Sequence, residues 1–166
     1  MLPPKMILCP VDFSTHSDEA LKVATDLAVQ FGAALCLVHV VPAIPKISTL
    51  VEFFHEGEYE KELHKNAAER LGQIADDIAR KGVTVTSQVG TANEVGMEIL
   101  LAAEHNRADL IVISTHGMTG WRQLALGSVT EKVVRLAACP VFVLRAQPAA
   151  QASESSAPRD SVAASR

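Results

Sequence analysis

Residues 6–12 form a short apolar run, long enough for a buried strand and too short for a helix. After it, Ala20, Leu21, Ala24, Leu27 and Ala28 recur at helical spacing. Ser14 or Ser17 is placed to cap that helix, and Phe31-Gly32 to stop it. Residues 34–41 are a second continuous apolar run, broken by His39 and ended by Pro42 and Pro45. Leu63, Ala67, Leu71, Ile74 and Ile78 lie on one stripe of a helix predicted over residues 59–80, which Lys81-Gly82 stops. Val83, Val85 and Val89 alternate with polar residues, as in an edge strand with one solvated face, and Gly90 punctuates it. A helix over 95–106, a strand over 109–114 buried on both sides, a helix over 128–138 stopped by Cys139-Pro140, and a last strand over 141–144 complete the chain. Residues 44–57 carry no clear period. Leu50 to Phe54 reads either as a helix start or as a mobile segment, and the stretch either as a lid or as a long connection.

Strands and helices therefore alternate strictly. Near-continuous apolar strands in that order imply a parallel sheet covered on both faces. The fold class expected is α/β, a doubly wound five-stranded parallel sheet with strand order 3-2-1-4-5. Such sheets place ligands at the carboxyl ends of the strands, where the strand order reverses. The first and fourth strands end at Asp12 and Ser114, so as neighbours they would flank one crevice.

At 166 residues the chain fits one domain, expected over residues 1–145. Residues 146–166 are Ala, Ser, Pro and Gln with scattered charge and are expected to be a disordered tail. A net charge of −4 argues against a nucleic-acid partner held by phosphate neutralisation. It leaves room for a single nucleotide, which needs local dipoles. No apolar run approaches the ~20 residues of a membrane span, and the first residues show no signal-peptide pattern. Cys9, Cys36 and Cys139 lie in or beside apolar runs without motif spacing, and read as buried thiols of a reducing cytoplasm.

The densest chemistry lies between Ile111 and Glu131. Ile111-Val112-Ile113 runs into Ser114-Thr115-His116-Gly117, and Gly127-Ser128 then opens an amphipathic run. A strand, a small polar loop and a helix start can deliver a phosphate to unpaired N–H groups at the positive end of the helix dipole. Glycine lets backbone approach the anion. The loop matches neither the P-loop nor the Rossmann glycine pattern.

Taken with the strand order, these residues resemble the universal stress protein family. Its nucleotide-binding members carry G-x-x-G-x(9)-G-[ST] after the fourth strand, and here the register reads Ser114-x-x-Gly117-x(9)-Gly127-Ser128. The opening Ile7-Leu8-Cys9-Pro10-Val11-Asp12-Phe13-Ser14, the second strand Leu37-Val38-His39-Val40 and the ending Cys139-Pro140-Val141-Phe142-Val143-Leu144 are similar to the family's as well. The resemblance implies adenine and ribose near Pro10, Val11, Asp12 and Val40, and phosphates at Gly117, Gly127, Ser128 and Val129, with Ser114 and His116 beside them. It implies ATP as ligand, with magnesium carried on the phosphates, and a homodimer. Ser114 replaces the first motif glycine; serine is small and can itself donate to phosphate.

Each feature also has a plainer reading. Ser128 and Glu131 match the S-x-x-E capping box, although that explains neither glycine. Asp12 suits a cap or Asx-turn as well as a ligand contact, and as a ligand contact its charge belongs at the sugar or base end. His116 reads as a neutral loop donor or, in a slow ATPase, as a base. Gly120 serves either a turn or the ligand, and Trp121 either the core or a nucleotide cover. Arg122 is one more basic residue near the loop, and His39 reads as a satisfied core histidine.

The apolar last strand Val141–Leu144 would be covered most simply by a second copy pairing edge to edge, or else by the tail. With no Walker lysine, no paired carboxylates for two metals and no evident arginine finger, the chain reads as a cytoplasmic, ATP-dependent switch or sensor rather than an enzyme. The alternatives are a homodimeric interaction module that binds no nucleotide, and a slow ATPase.

Overall fold

The computed structural model describes residues 3–43, 52–115 and 126–145. The elements run β1 (Met6–Pro10), α1 (Thr15–Phe31), β2 (Ala34–Pro42), α2 (Glu52–Ala79), β3 (Val85–Ala92), α3 (Val95–His105), β4 (Leu110–Ser114), α4 (Ser128–Leu136) and β5 (Val141–Leu144). All strand pairs are parallel, in the order β3-β2-β1-β4-β5. The expected fold class and strand order are therefore met.

Strand alternation divides the core into two layers. Ile7, Cys9, Leu35, Leu37 and Val112 pack under Ala24 and Ala28 of α1 and Leu71, Ala75 and Ile78 of α2. Leu8, Cys36, Val38, Ile111 and Ile113 pack under Ile99 and Ala102 of α3 and Val133 of α4. Alanines on α1 and α3 let those helices lie close to the sheet. Ser14 caps α1 by accepting from the Ser17 N–H at 3.2 Å, and Gly32, at φ 65°, ends it in the left-handed region that glycine enters without steric cost.

Four boundaries differ from the sequence reading. α2 begins at Glu52, seven residues before the predicted start at Tyr59, so the stretch around Phe53 is a helix start. β1 stops at Pro10, and one further bond, Val11 N–H to the Val38 carbonyl at 2.8 Å, carries the chain to Asp12. β3 runs through Gly90 to Ala92. Gly90 does not end the strand; it admits α3, because a Cβ there would sit 2.8 Å from Glu98 Oε1. α4 ends at Leu136, so Cys139 lies in the turn before β5 and is half-buried, whereas Cys9 and Cys36 are buried as expected. The expected tail lies outside the described residues. Among the described residues, no helix is long and apolar enough to cross a membrane.

Burial pushes the Cys9 thiol up to about 12 from its usual 9.0. Burial also raises Cys36, with a Thr86 hydrogen bond opposing it, and Cys139, where the Asp109 charge adds to the effect. Below pH 9 Cys9 is a neutral thiol in both folded and unfolded chains. Above it the unfolded chain ionises first, so the Cys9 contribution to stability is lost as pH rises toward about 12. Urea midpoints across about pH 8 to 10 should fall for the wild type and fall less steeply for Cys9→Ala, which has no thiol to ionise.

Candidate functional site: a cleft at the carboxyl ends of β1 and β4

Because β1 leads through α1 to β2 on one side while β4 lies on its other side, the connections diverge above β1 and leave a gap there. β1 pairing ends at Pro10↔Val38, but β2 continues to Pro42 against β3 alone. The gap is a cleft of about 340 Å³. Its walls are Pro10 at the end of β1, Val11 and Asp12 after it, Val38, His39 and Val40 of β2, Val95 and Ile99 of α3, and Ile113 to Thr115 opposite Gly127 to Thr130 at the start of α4.

The two ends of the cleft differ electrically. At one end Asp12 Oδ1 accepts from the Ser14 backbone N–H at 3.0 Å and from the Ser14 hydroxyl at 2.6 Å, an Asx-turn that sets the plane of the carboxylate. The Asp12 N–H donates to Ser17 Oγ at 3.3 Å. At the other end α4 points its N-terminus into the cleft. Gly127 is the N-cap, with φ −60° and ψ 148°, and has no side chain with which to cap the helix. The capping box read from Ser128 and Glu131 is not made. Ser128 is already the first helical residue, one position too late, and Glu131 pairs with Arg135 at 2.6 Å. Any residue can adopt the Gly127 backbone angles, so what glycine contributes there is the absence of a side chain at the lip of the cleft.

The walls are pinned from behind. The Thr130 hydroxyl donates to the Ser114 carbonyl at 2.7 Å, Gly127 N–H to the Thr115 carbonyl at 2.9 Å, and Thr115 N–H to the Leu144 carbonyl at 2.8 Å. Lys132 of α4 pairs with Glu94 at the start of α3, and its alkyl chain lies over Gly96, where a Cβ would come within 3.1 Å. This close approach lets the two helices flank a narrow opening.

Of the residues singled out in the sequence, Pro10, Val11, Asp12, Val40, Ser114, Gly127, Ser128 and Val129 line this one cleft. His116 and Gly117, like Gly120, Trp121 and Arg122, lie outside the described residues. The sequence reading missed Ser17, Thr115 and Thr130, whose hydroxyls have no motif, and Val95 with Ile99, whose i,i+4 spacing read only as core. His39 is half-buried, with Nδ1 2.7 Å from the Val11 carbonyl. Among the described residues, no group of three or more His, Cys, Asp or Glu could hold a metal ion.

The sequence profile described as the Universal stress protein family matches residues 4–145. The chain belongs to that family. It is 36% identical over 143 residues to the universal stress protein MJ0531 of Methanocaldococcus jannaschii, covering 85% of this chain and 82% of that protein. Its fold is similar to the solved structure of MJ0577 from the same organism, with a TM-score of 0.78 and 28% identity, covering 90% of this chain and 100% of that one. A universal stress protein from Archaeoglobus fulgidus solved in complex with dAMP shares the fold at a TM-score of 0.57 and 23% identity, over 86% of this chain and 98% of that one.

The buried Thr130 bond carries a prediction about the site's framework. Thr130→Val leaves the Ser114 carbonyl without that donor and should cost about 1–3 kcal/mol in urea unfolding. A Thr130→Ser variant, which keeps the hydroxyl, should lose less.

Proposed function

We propose that this member of the family binds ATP in the cleft and acts in the cytoplasm as a nucleotide-dependent switch or sensor. One observation carries the reading: the α4 N-terminus, with glycine at its cap position, opens into the same cleft as Asp12 and Val40. Phosphates belong at Gly127, Ser128 and Val129, where the dipole and the backbone N–H groups favour an anion. The family motif assigns His116 and Gly117 to the phosphates as well. Adenine and ribose belong over Val40, Pro10 and Val11, with the Asp12 carboxylate facing hydroxyl or amino donors and kept away from the phosphates. Magnesium would arrive on the phosphates rather than on a protein cage. Backbone donors hold phosphates without driving their transfer, so turnover, if measured, should be slow.

Ser114 does not obstruct this arrangement. Leu110 and Val112 of β4 pack with the α1 layer, while Ile111 and Ile113 pack with the α3 layer. Continued alternation places the Ser114 side chain on the α1 face, away from the cleft, and only its backbone needs to meet the ligand. By calorimetry with and without magnesium, wild type should bind ATP, and Ser114→Gly should bind within about threefold of it. Gly127→Val, whose backbone angles suit valine, should stay folded and lose binding. No binding by wild type stripped of nucleotide would leave the interaction module as the working reading.

We also propose a homodimer through β5. Among the described residues that strand has a neighbour on one side only, and Phe142 is 48% exposed on it. Sedimentation should show a dimer for wild type and a monomer for Phe142→Glu, which places a charge on the pairing strand.

A further inference from the structure

Phe13 follows Asp12 directly and has φ 62°, a left-handed conformation that is uncommon for any residue with a side chain and a true outlier for a bulky one. Strain of this kind persists only where the surroundings over-determine it. Here they do. The Phe13 ring lies against the His39 ring, with centroids 4.5 Å apart at 32°. The Arg70 guanidinium sits 4.3 Å from the Phe13 ring centroid. His39 is anchored in β2 and bonded to the Val11 carbonyl, one residue before Asp12. Arg70 is anchored by its neighbour Leu71, which is fully buried. The strained turn is therefore held from β2 and from α2, and the residue it aims is Asp12, whose carboxylate plane Ser14 then fixes.

Of these three residues His39 lines the cleft between Val38 and Val40, whereas Phe13 and Arg70 are not among its lining residues. Phe13 packs with the α1 and α2 layer, on the face of the sheet opposite the cleft wall made by Val38, Val40 and Ile99. We propose that the Arg70–Phe13–His39 stack is a positioning device that holds the Asp12 carboxylate toward the sugar of a bound nucleotide, and so sets a preference for ribonucleotides over 2′-deoxyribonucleotides. A fixed carboxylate accepts well from a ribose hydroxyl, and a site built around that bond loses it with the deoxy sugar. The inference rests on the nucleotide reading above and adds to it Phe13 and Arg70, which do not line the cleft, acting through His39, which does.

The experiment measures the affinities of ATP and 2′-deoxy-ATP for the full chain by calorimetry, together with nucleotide-free melting. Wild type should prefer ATP by about tenfold, the worth of one hydrogen bond to a charged group. Phe13→Gly accepts the positive φ but removes the ring, and should lower ATP affinity by about tenfold while leaving 2′-deoxy-ATP nearly unchanged, so that the ratio falls toward one. Phe13→Asn, which also tolerates this conformation, supplies the same test should the glycine variant melt early. Arg70→Met should lower the ratio less, and Phe13→Tyr should keep it. An unchanged ratio in folded Phe13→Gly or Phe13→Asn overturns the positioning role and leaves the cleft reading standing. Wild type that binds neither nucleotide overturns the cleft reading, and the inference with it.

Discussion

Much of this molecule follows from one mismatch in length at the centre of the sheet. β1 is five residues long and β2 beside it is nine, and their pairing starts level at Met6↔Ala34. β2 therefore continues past the last residue of β1 with β3 as its only strand partner. β1 leads through α1 to β2 on one side, and β4 lies on its other side. What forms is an indentation floored by backbone and aliphatic side chains, with polar loop residues at its rim. The apolar contacts that close both faces below it, Ile7 and Cys9 on one side and Leu8 on the other, keep the indentation at a fixed place. Chemistry at the rim can vary without disturbing the layers beneath.

The rim itself is built from competing local preferences. Asp12, Ser14 and Ser17 are turn and cap formers, and they satisfy one another while starting α1. Their hydrogen bonds serve the helix and orient the acid in the same stroke. At α4 the opposite holds: a glycine occupies the cap position and offers the helix end no side chain of its own. One wall of the cleft is thus self-satisfied and negatively charged. The other presents the positive end of the α4 dipole, and this polarity argues for a ligand with one anionic end and one neutral, hydrogen-bonding end.

The fold was legible because strands buried on both faces announce themselves as unbroken apolar runs, and because Gly32 and the alanine-rich helices punctuate as expected. The strands around Leu8, Leu37 and Val112 needed nothing else. The start of α2 was not legible: its first residues precede the apolar stripe that begins at Leu63, so no helical period marks them in the sequence. Gly90 misled because glycine marks both strand ends and close contacts, and only the position of Glu98 separates the two. The S-x-x-E pattern at Ser128 misled because it carries no information about which residue is the cap. Thr130 and Phe13 could not be found at all. The role of Thr130 depends on the approach of β4, and a bulky aromatic is the residue type least expected at positive φ. Family motifs named eight of the residues that line the cleft, and chain order alone named none of the hydroxyls behind them.

Thr115 joins two regions that otherwise look separate. Its N–H is bonded to Leu144 at the end of the outermost strand, and its carbonyl to Gly127 at the lip of the cleft. The rim and the sheet edge are consecutive links of one hydrogen-bonded chain, with a single residue between them. The edge strand and the opening of the cleft are thus braced by the same residue, and Thr115 is their common strut.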